Sequence, residues 1–345
     1  MKNLTPFYIT ICLFTFFSCN NQDKKDIIDF FPLIQEVESK EIFSDSFFGA
    51  PYQIDLVNNN LIICDVIDEK LISIYNTDND SLVIQLFREG NGPKDLIPPL
   101  IIKTYANNNI SIFQRQTSSF KEYNLSDLSR GEINPLNDIK FDQNIDNIIK
   151  INSNIYAGTG LLEQGSIAFF NQEGTIIHST NIYPKFVNSI EDISNRFIIG
   201  QQQIDYNPIS NTLLTASIFT GDIVFFENNN LTLNKTKQYK PKPSPIEYKI
   251  KSQGYTKPSN EDYIYFESSY STNDYFYLLY SGNPMNKNAT TENNYILQFD
   301  TYGNPTKAYK TNSKIFDFCI STDNTCAYTI SLSDDLSYII TKIIL

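Results

Sequence analysis

Residues 51–88 read PYQIDLVNNNLIICDVIDEKLISIYNTDNDSLVIQLFR. Four short runs stand out: PYQIDLV (51–57), NLIICDV (60–66), KLISIYN (70–76) and SLVIQLFR (81–88). Apolar and polar residues alternate within them, and polar turns such as NNN and NTDND separate them. Period-two alternation puts successive side chains on opposite faces of a strand. The stretch therefore predicts a four-stranded antiparallel sheet.

The pattern recurs along the chain. Residues 99–142 hold PLIIKTY, NNISIFQR, SSFKEYNL and the weaker NDIKF; residues 146–182 hold DNIIKI, SNIYAGT, GSIAFFN and GTIIHSTNI. RFIIGQQ, NTLLTASIF, GDIVFFEN and LTLNKTKQY follow between 196 and 239, then DYIYFESSY, NDYFYLLYS, NNYILQFD and PTKAYKT between 262 and 311. The last unit, KIFDFCI, TCAYTIS and LSYIITKIIL, has only three strands, and IQEVESKEIF (34–43) is the candidate for the missing one. No stretch shows a sustained helical period.

Six sheet-sized units, the last completed from the other terminus, predict an all-β, six-bladed β-propeller of four-stranded antiparallel blades, its ring closed by an N-terminal strand. From Phe31 to Leu345 each unit takes about 52 residues, near the ~40–50 of known blade repeats. A large β-sandwich or barrel is the rival, because strand spacing alone does not define the architecture. The irregular stretch 241–262 reads as a long connection between blades four and five.

Composition agrees. The 345 residues are 41% hydrophobic and 14% aromatic, with 22 Tyr, 25 Phe and no Trp. Aromatic and β-branched side chains pack well on a pleated surface. The net charge of −12 argues against nucleic acid as a partner, since an acidic surface repels phosphate backbones.

The N-terminus, MKNLTPFYITICLFTFFSC, carries Lys2, an apolar run from Phe7 to Phe17, then Ser18-Cys19. The run is shorter than the ~20 residues a membrane span needs and fits the h-region of a secretory signal. Its end resembles a bacterial lipobox. That resemblance implies residues 1–18 as a lipoprotein signal peptide and Cys19 as the lipidated first residue, anchoring the protein to a membrane. Residues 19–30 then form a polar tether, and 31–345 the propeller. Three cysteines remain after processing: Cys64, Cys319 and Cys326. A turn at STDN would set Cys319 opposite Cys326, within disulfide reach; two buried free thiols are the other reading.

Residues 51–128 add a family resemblance. LIICDVIDEKLISIYN, LFREGNGPKDLIPP and NISIFQRQTSSFKEYNL resemble the TolB-like six-bladed propeller lipoproteins of the Bacteroidota type. The family pattern has strands ending in Asp and in Ile-Tyr-Asp, a Gly-x-Gly-Pro-x-Glu-Phe turn and an Asp-Arg pair. Here Asn76, Asp95-Leu96 and Gln114-Arg115 depart from it. The resemblance implies fold and location, and little of function.

LFREGNGPKDL (86–96) is not a phosphate loop. A dinucleotide fingerprint would place its third glycine at Asp95, and Lys94 follows Pro93 rather than a P-loop glycine. The segment reads instead as the crossing between blades one and two, with Gly90 and Gly92 supplying positive φ. That crossing should share one rim of the central channel with the turns after Cys64 and Phe113. Arg88, Asp65, Lys94 and Arg115 would then converge there. They form either a charged ligand funnel or blade locks in which Arg88 and Arg115 pair with Asp65, Asp68 and Asp95. His178, the only histidine, sits at an outer-strand position, so neither a multi-histidine zinc site nor a catalytic triad is expected. The Tyr-rich run 263–280 reads as inter-blade core, with a sugar-stacking surface as the alternative.

The expected protein is an exported, lipid-anchored binding or scaffold module in the bacterial cell envelope, at the outer rather than the inner membrane. It needs no cofactor, and its partners are the membrane through its lipidated N-terminus and an envelope protein or glycan. A Ca²⁺-dependent hydrolase or lactonase with its site in the channel is the alternative, and a purely structural assembly partner the third class.

Overall fold

The computed structural model describes residues 26–345 except 68, 106–107, 242–243, 255–256 and 286–293. Cys19, the leader segment and Asp68 lie outside the described residues.

Two short strands come first, β1 (Ile34–Val37) and β2 (Ser39–Ile42). Blade one holds β3 (Gln53–Val57), β4 (Asn60–Ile67), β5 (Lys70–Asn76) and β6 (Ser81–Arg88). Blade two holds β7 (Leu100–Tyr105), β8 (Asn109–Gln114), β9 (Ser119–Asn124) and β10 (Asn137–Lys140). Blade three holds β11 (Asn144–Asn152), β12 (Ile155–Leu161), β13 (Ile167–Phe170) and β14 (Ile176–Thr180). Blade four holds β15 (Gln202–Asn207), β16 (Thr212–Ser217), β17 (Ile223–Asn229) and β18 (Thr232–Tyr239). Blade five holds β19 (Tyr263–Ser271), β20 (Tyr275–Pro284), β21 (Tyr295–Asp300) and β22 (Pro305–Thr311). Blade six holds β23 (Ile315–Ile320), β24 (Cys326–Leu332) and β25 (Tyr338–Ile344). Within each blade the strands pair in chain order, so the first strand of every blade faces the channel.

The ring closes through the N-terminal segment, which does more than the missing strand required. β2 pairs antiparallel with β25, Ser39 opposite Ile343, and completes blade six. β1 pairs parallel with β22, Ile34 opposite Ala308, and gives blade five a fifth strand. Each of these two sheets thereby ends in a strand of only four residues, a short edge that offers little template for unwanted pairing. Packing also begins before the expected end of the tether. Ile27 is fully buried between blades four and five, and Phe31 meets the Phe299 ring edge-on at 5.1 Å.

The core is a set of apolar seams, one between each pair of neighbouring blades. Leu100 and Ile102 from β7 meet Ile72 and Ile74 from β5 in the seam between blades one and two. Each fully buried Ile, Leu or Phe contributes roughly 1.5–3 kcal/mol. The Tyr-rich run behaves mostly as this core: Tyr265 and Tyr280 fill one seam and Tyr277 the next.

Two expectations give way to helices. RFIIGQQ (196–202) is not a strand; its first part belongs to helix α3 (Ile193–Gly200), and blade four begins at Gln202. Asp192 caps that helix by accepting from the Asn195 amide at 2.8 Å, the local signal that outweighs the apolar Phe-Ile-Ile run. The long connection before blade five carries α4 (Pro245–Gln253), capped by Ser244, with Pro245 at its first turn. With α2 (Lys185–Asn188), these helices pack Phe186, Val187, Ile199, Ile246 and Ile250 into a small cap. The remaining α-helix among the described residues, α1 (Leu125–Ser129), places Leu125 and Leu128 in the seam between blades one and two.

Cys319 pairs with Tyr328 rather than Cys326, because the turn spans residues 321–325 and shifts the register. All three cysteines are buried free thiols.

Candidate functional site

Each inner strand enters the channel from the face that carries the crossings between blades, called here the entry face, and leaves it at the exit face. Charged residues stand within these inner strands: Asp55 in β3, Lys103 in β7, Asp205 in β15 and Asp317 in β23.

Four of the strands are tied across the channel at mid-depth. Lys103 reaches from blade two to Asp205 of blade four, 3.0 Å from Nζ to Oδ2, and donates to the Ser269 carbonyl of blade five at 3.1 Å. Its ammonium lies 5.7 Å from the centre of the Tyr270 ring. The Tyr270 hydroxyl donates to Asp55 of blade one at 3.1 Å. Asp55 also accepts from the Leu56 amide at 2.7 Å, the Thr104 amide at 2.7 Å and the Thr104 hydroxyl at 3.0 Å. Asp205 further accepts from Ser271 Oγ at 2.7 Å. Burial works against the Lys103 charge, but Asp205 and then Asp55 outweigh it and hold its pKa above the ordinary lysine value. Burial raises the Asp55 carboxyl, against the opposing pull of Lys103 and its hydrogen bonds.

Asp55, Lys103 and Tyr270 line the cavities on both sides, so this group forms a waist between two chambers. The exit cup has a volume of about 570 Å³. Leu56, Val57, Ile149, Ile151, Tyr206 and Ile320 contribute its apolar wall, above the charged floor. Lys150 also lines the cup, paired with Glu122 at 2.8 Å. The entry chamber is smaller, about 220 Å³, and mostly polar, with Gln53, Asn147, Gln201, Gln202 and Gln203 among its lining. Asp317 also lines it, accepting from the Ile54 amide at 2.9 Å. Burial pushes the Asp317 carboxyl up to about 6, against its hydrogen bonds with Ser268 and the backbone.

Of the four residues expected to converge on one mouth, only Arg115 lines a chamber. It pairs with Asp146 of β11 and so joins blade two to blade three. Burial lowers its pKa. A blade lock therefore exists, with a partner other than Asp65, Asp68 or Asp95. Asp65 is fully buried and accepts from the Gly49 and Ala50 amides, each at 2.8 Å, which fastens the chain as it enters blade one. Arg88 and Lys94 are exposed and line neither chamber. The crossing they belong to is built around Asp95, which accepts from the Gly92 amide at 2.9 Å. Neither Gly90 nor Gly92 adopts positive φ; a Cβ would lie 2.6 and 2.5 Å from Asp95 Oδ2, so a side chain at either position would displace that carboxylate. His178 is exposed on the outer strand β14.

The waist residues were not singled out from sequence. Their signal was present as a charge inside short apolar runs, in QIDLV and LIIKTY. A buried charge needs a partner, and those partners stand on other blades. Among the described residues, no group of three or more His, Cys, Asp or Glu side chains is placed to hold a metal ion.

Six sheets, antiparallel but for the added strand β1, around a braced central channel define a six-bladed β-propeller. The chain belongs to the family described as TolB-like 6-blade propeller-like, whose model matches residues 31–323. Among solved structures, a member of the DUF4221 family from Bacteroides vulgatus superposes with TM-score 0.58 at 11% identity, over 89% of this chain and 96% of its own. A putative exported protein from Bacteroides fragilis gives 0.58 at 12%, over 91% and 99%. Regucalcin from Agrobacterium tumefaciens, a calcium-binding protein, gives 0.51 at 10%, over 90% and 95%. At these identities the likeness is one of fold. No curated protein matches the chain.

Proposed function

We propose that this protein is an exported, lipid-anchored binding module of the cell envelope, with its ligand site in the exit cup. The cup carries the reading. It is concave, about 570 Å³ in volume, walled by aliphatic side chains and tyrosine, and floored by a few fixed polar groups. That combination is the usual chemistry of a binding site. The ligand is a segment of an envelope protein or a glycan, and Cys19 carries the anchor at the outer membrane. The family and the exported protein that shares the fold support the envelope assignment.

A calcium-dependent hydrolase is favoured less, because the channel carboxylates Asp55 and Asp205 already accept from Lys103, Tyr270, Thr104 and Ser271. Thermal-shift measurements against envelope fractions test the reading, since a ligand of the native state raises the melting temperature. A fraction should stabilise the wild type and lose its effect on Thr322→Trp, which fills the cup mouth from an exposed rim position. Calcium should leave the melting temperature unchanged. Equal stabilisation of wild type and variant would sink the exit-cup assignment. Palmitate labelling that persists in Cys19→Ala would remove the anchor.

A further inference from the structure

The described chain begins on one side of the ring. The Tyr280 hydroxyl donates to Asp26 Oδ1 at 2.6 Å, and the buried Ile27 follows in the seam between blades four and five. Tyr265 of the same seam donates through its amide to the Ile218 carbonyl at 2.8 Å. Ile218 stands in the turn between β16 and β17 and lines the entry chamber, so the chain starts on the entry side. Cys19 lies seven residues before Asp26, and that length of chain reaches ~25 Å at most. An inner strand of six residues, such as β7, sets the two faces ~20 Å apart. A lipid on Cys19 would hold the entry face near the bilayer. Turning the exit face toward it would consume nearly the whole reach.

The same face is apolar around that starting point. Its loops expose Ile193 in the crossing from blade three to four, Tyr248 in the next crossing and Met285 in blade five. Leu336 follows in blade six, Phe47 in the crossing from six to one, and Val66 at the end of β4. Phe47 is 76% and Tyr248 69% exposed. In ring order these residues form one arc, and the described chain begins inside it. Among the described residues, the entry loops of blades two and three (89–99, 115–118, 141–143 and 162–166) expose no large apolar side chain. Ile209 and Tyr302 are exposed on exit-side turns, so the length of the tether decides between the faces. Charge on the arc is mixed: Glu191, Asp334 and Asp335 accompany Lys251 and Lys257. It offers no basic cluster of the kind that selects anionic lipid. Exposed aromatic and aliphatic tips suit shallow burial at the boundary of headgroups and acyl chains.

We infer that the entry face of blades four, five, six and one packs against a zwitterionic lipid surface, and that the exit cup opens away from the membrane. The inference rests on the Cys19 anchor of the proposed function and deepens that reading, since the cup is then free to meet its partner.

Fluorescence of the lipidated protein on phosphatidylcholine vesicles tests the orientation. Single labels are attached through Phe47→Cys or Tyr248→Cys on the entry face, and through Ile209→Cys or Thr322→Cys on the exit face. All four positions are exposed, and the native thiols Cys64, Cys319 and Cys326 are buried. Brominated lipid should quench the entry labels and leave the exit labels at their vesicle-free intensity. A Leu336→Cys label should be quenched too, and should lose most of that quenching when Phe47→Glu and Tyr248→Glu are added, with circular dichroism confirming a folded propeller. Flotation separates this inference from the anchor beneath it. Protein that does not float with the vesicles removes the anchor, and the orientation with it. Protein that floats with its exit labels quenched, with both faces quenched alike or with neither quenched overturns the orientation and leaves the anchor standing. Unchanged Leu336→Cys quenching beside the two glutamates overturns the apolar contact.

Discussion

The two chambers of the channel share the same inner strands and have opposite characters. At the entry end the lining is Gln53, Gln202, Gln203 and Asp317; at the exit end it includes Leu56, Val57, Ile151 and Ile320. Depth along the channel is position along the strand, so a few residues of sequence convert a polar chamber into an apolar cup. The waist keeps them distinct. It is also the only place where blades one, two, four and five meet through side chains among the described hydrogen bonds.

The largest test of this division removes the waist cation. Lys103→Met leaves Asp205 and Asp55 buried without their positive partner. Breaking such a pair should destabilise the propeller by about 3–5 kcal/mol, read from urea unfolding. Adding Asp205→Leu should recover part of that loss, because replacing a whole buried pair is far less harmful than breaking it. A single-variant loss below about 1 kcal/mol would mean the waist is not a bracing element.

A smaller effect separates the chambers by pH. Asp317 lines only the entry side, and its folded pKa of about 6 lies above the ordinary 3.8. As pH rises between these values, the unfolded chain releases the proton first, so the folded state binds more protons and loses stability. Its stabilising contribution is present below the unfolded pKa and is lost through the folded one. The loss amounts to about 3 kcal/mol for a shift of about two units. Asp317→Asn should flatten the wild-type decline between pH 4 and 6 in a series of urea midpoints. A parallel decline in both proteins would assign the proton elsewhere.

Thr322→Trp addresses the exit side alone. Its exposed position predicts a stability change within about 0.5 kcal/mol, together with loss of exit-cup ligand. The smallest effects belong to the crossing between blades one and two. Lys94→Ala and Arg88→Ala should each shift stability by no more than about 0.5 kcal/mol and leave binding in the exit cup unchanged. A measurable loss of binding in either variant would return the crossing to the ligand site.

Much of the fold was legible because its signals are local. Period-two runs, polar turns and a three-stranded last unit point to a ring closed by residues 34–43, and β2 takes the place left open in blade six. Helices α3 and α4 escaped because each is short and its burial is shared with the other and with the Phe219 turn. Of the candidate site, Arg115 was found and Lys103 was not. Arg115 stands in a visible turn, whereas Lys103 sits inside LIIKTY and acquires meaning only when Asp205, more than a hundred residues away in sequence, lies 3.0 Å from it.

The amino-acid sequence by itself determined the blades, their order and the closing strand, because alternation and turn chemistry act between near neighbours. Tertiary structure alone decided which charges meet. Ring closure brings strands from distant blades to one axis, and there the cost of burying a charge selects its partners. The glycines of LFREGNGPKDL show the same division. The sequence suggested positive φ for them, whereas the folded loop shows neither in that region and an Asp95 carboxylate lying against both.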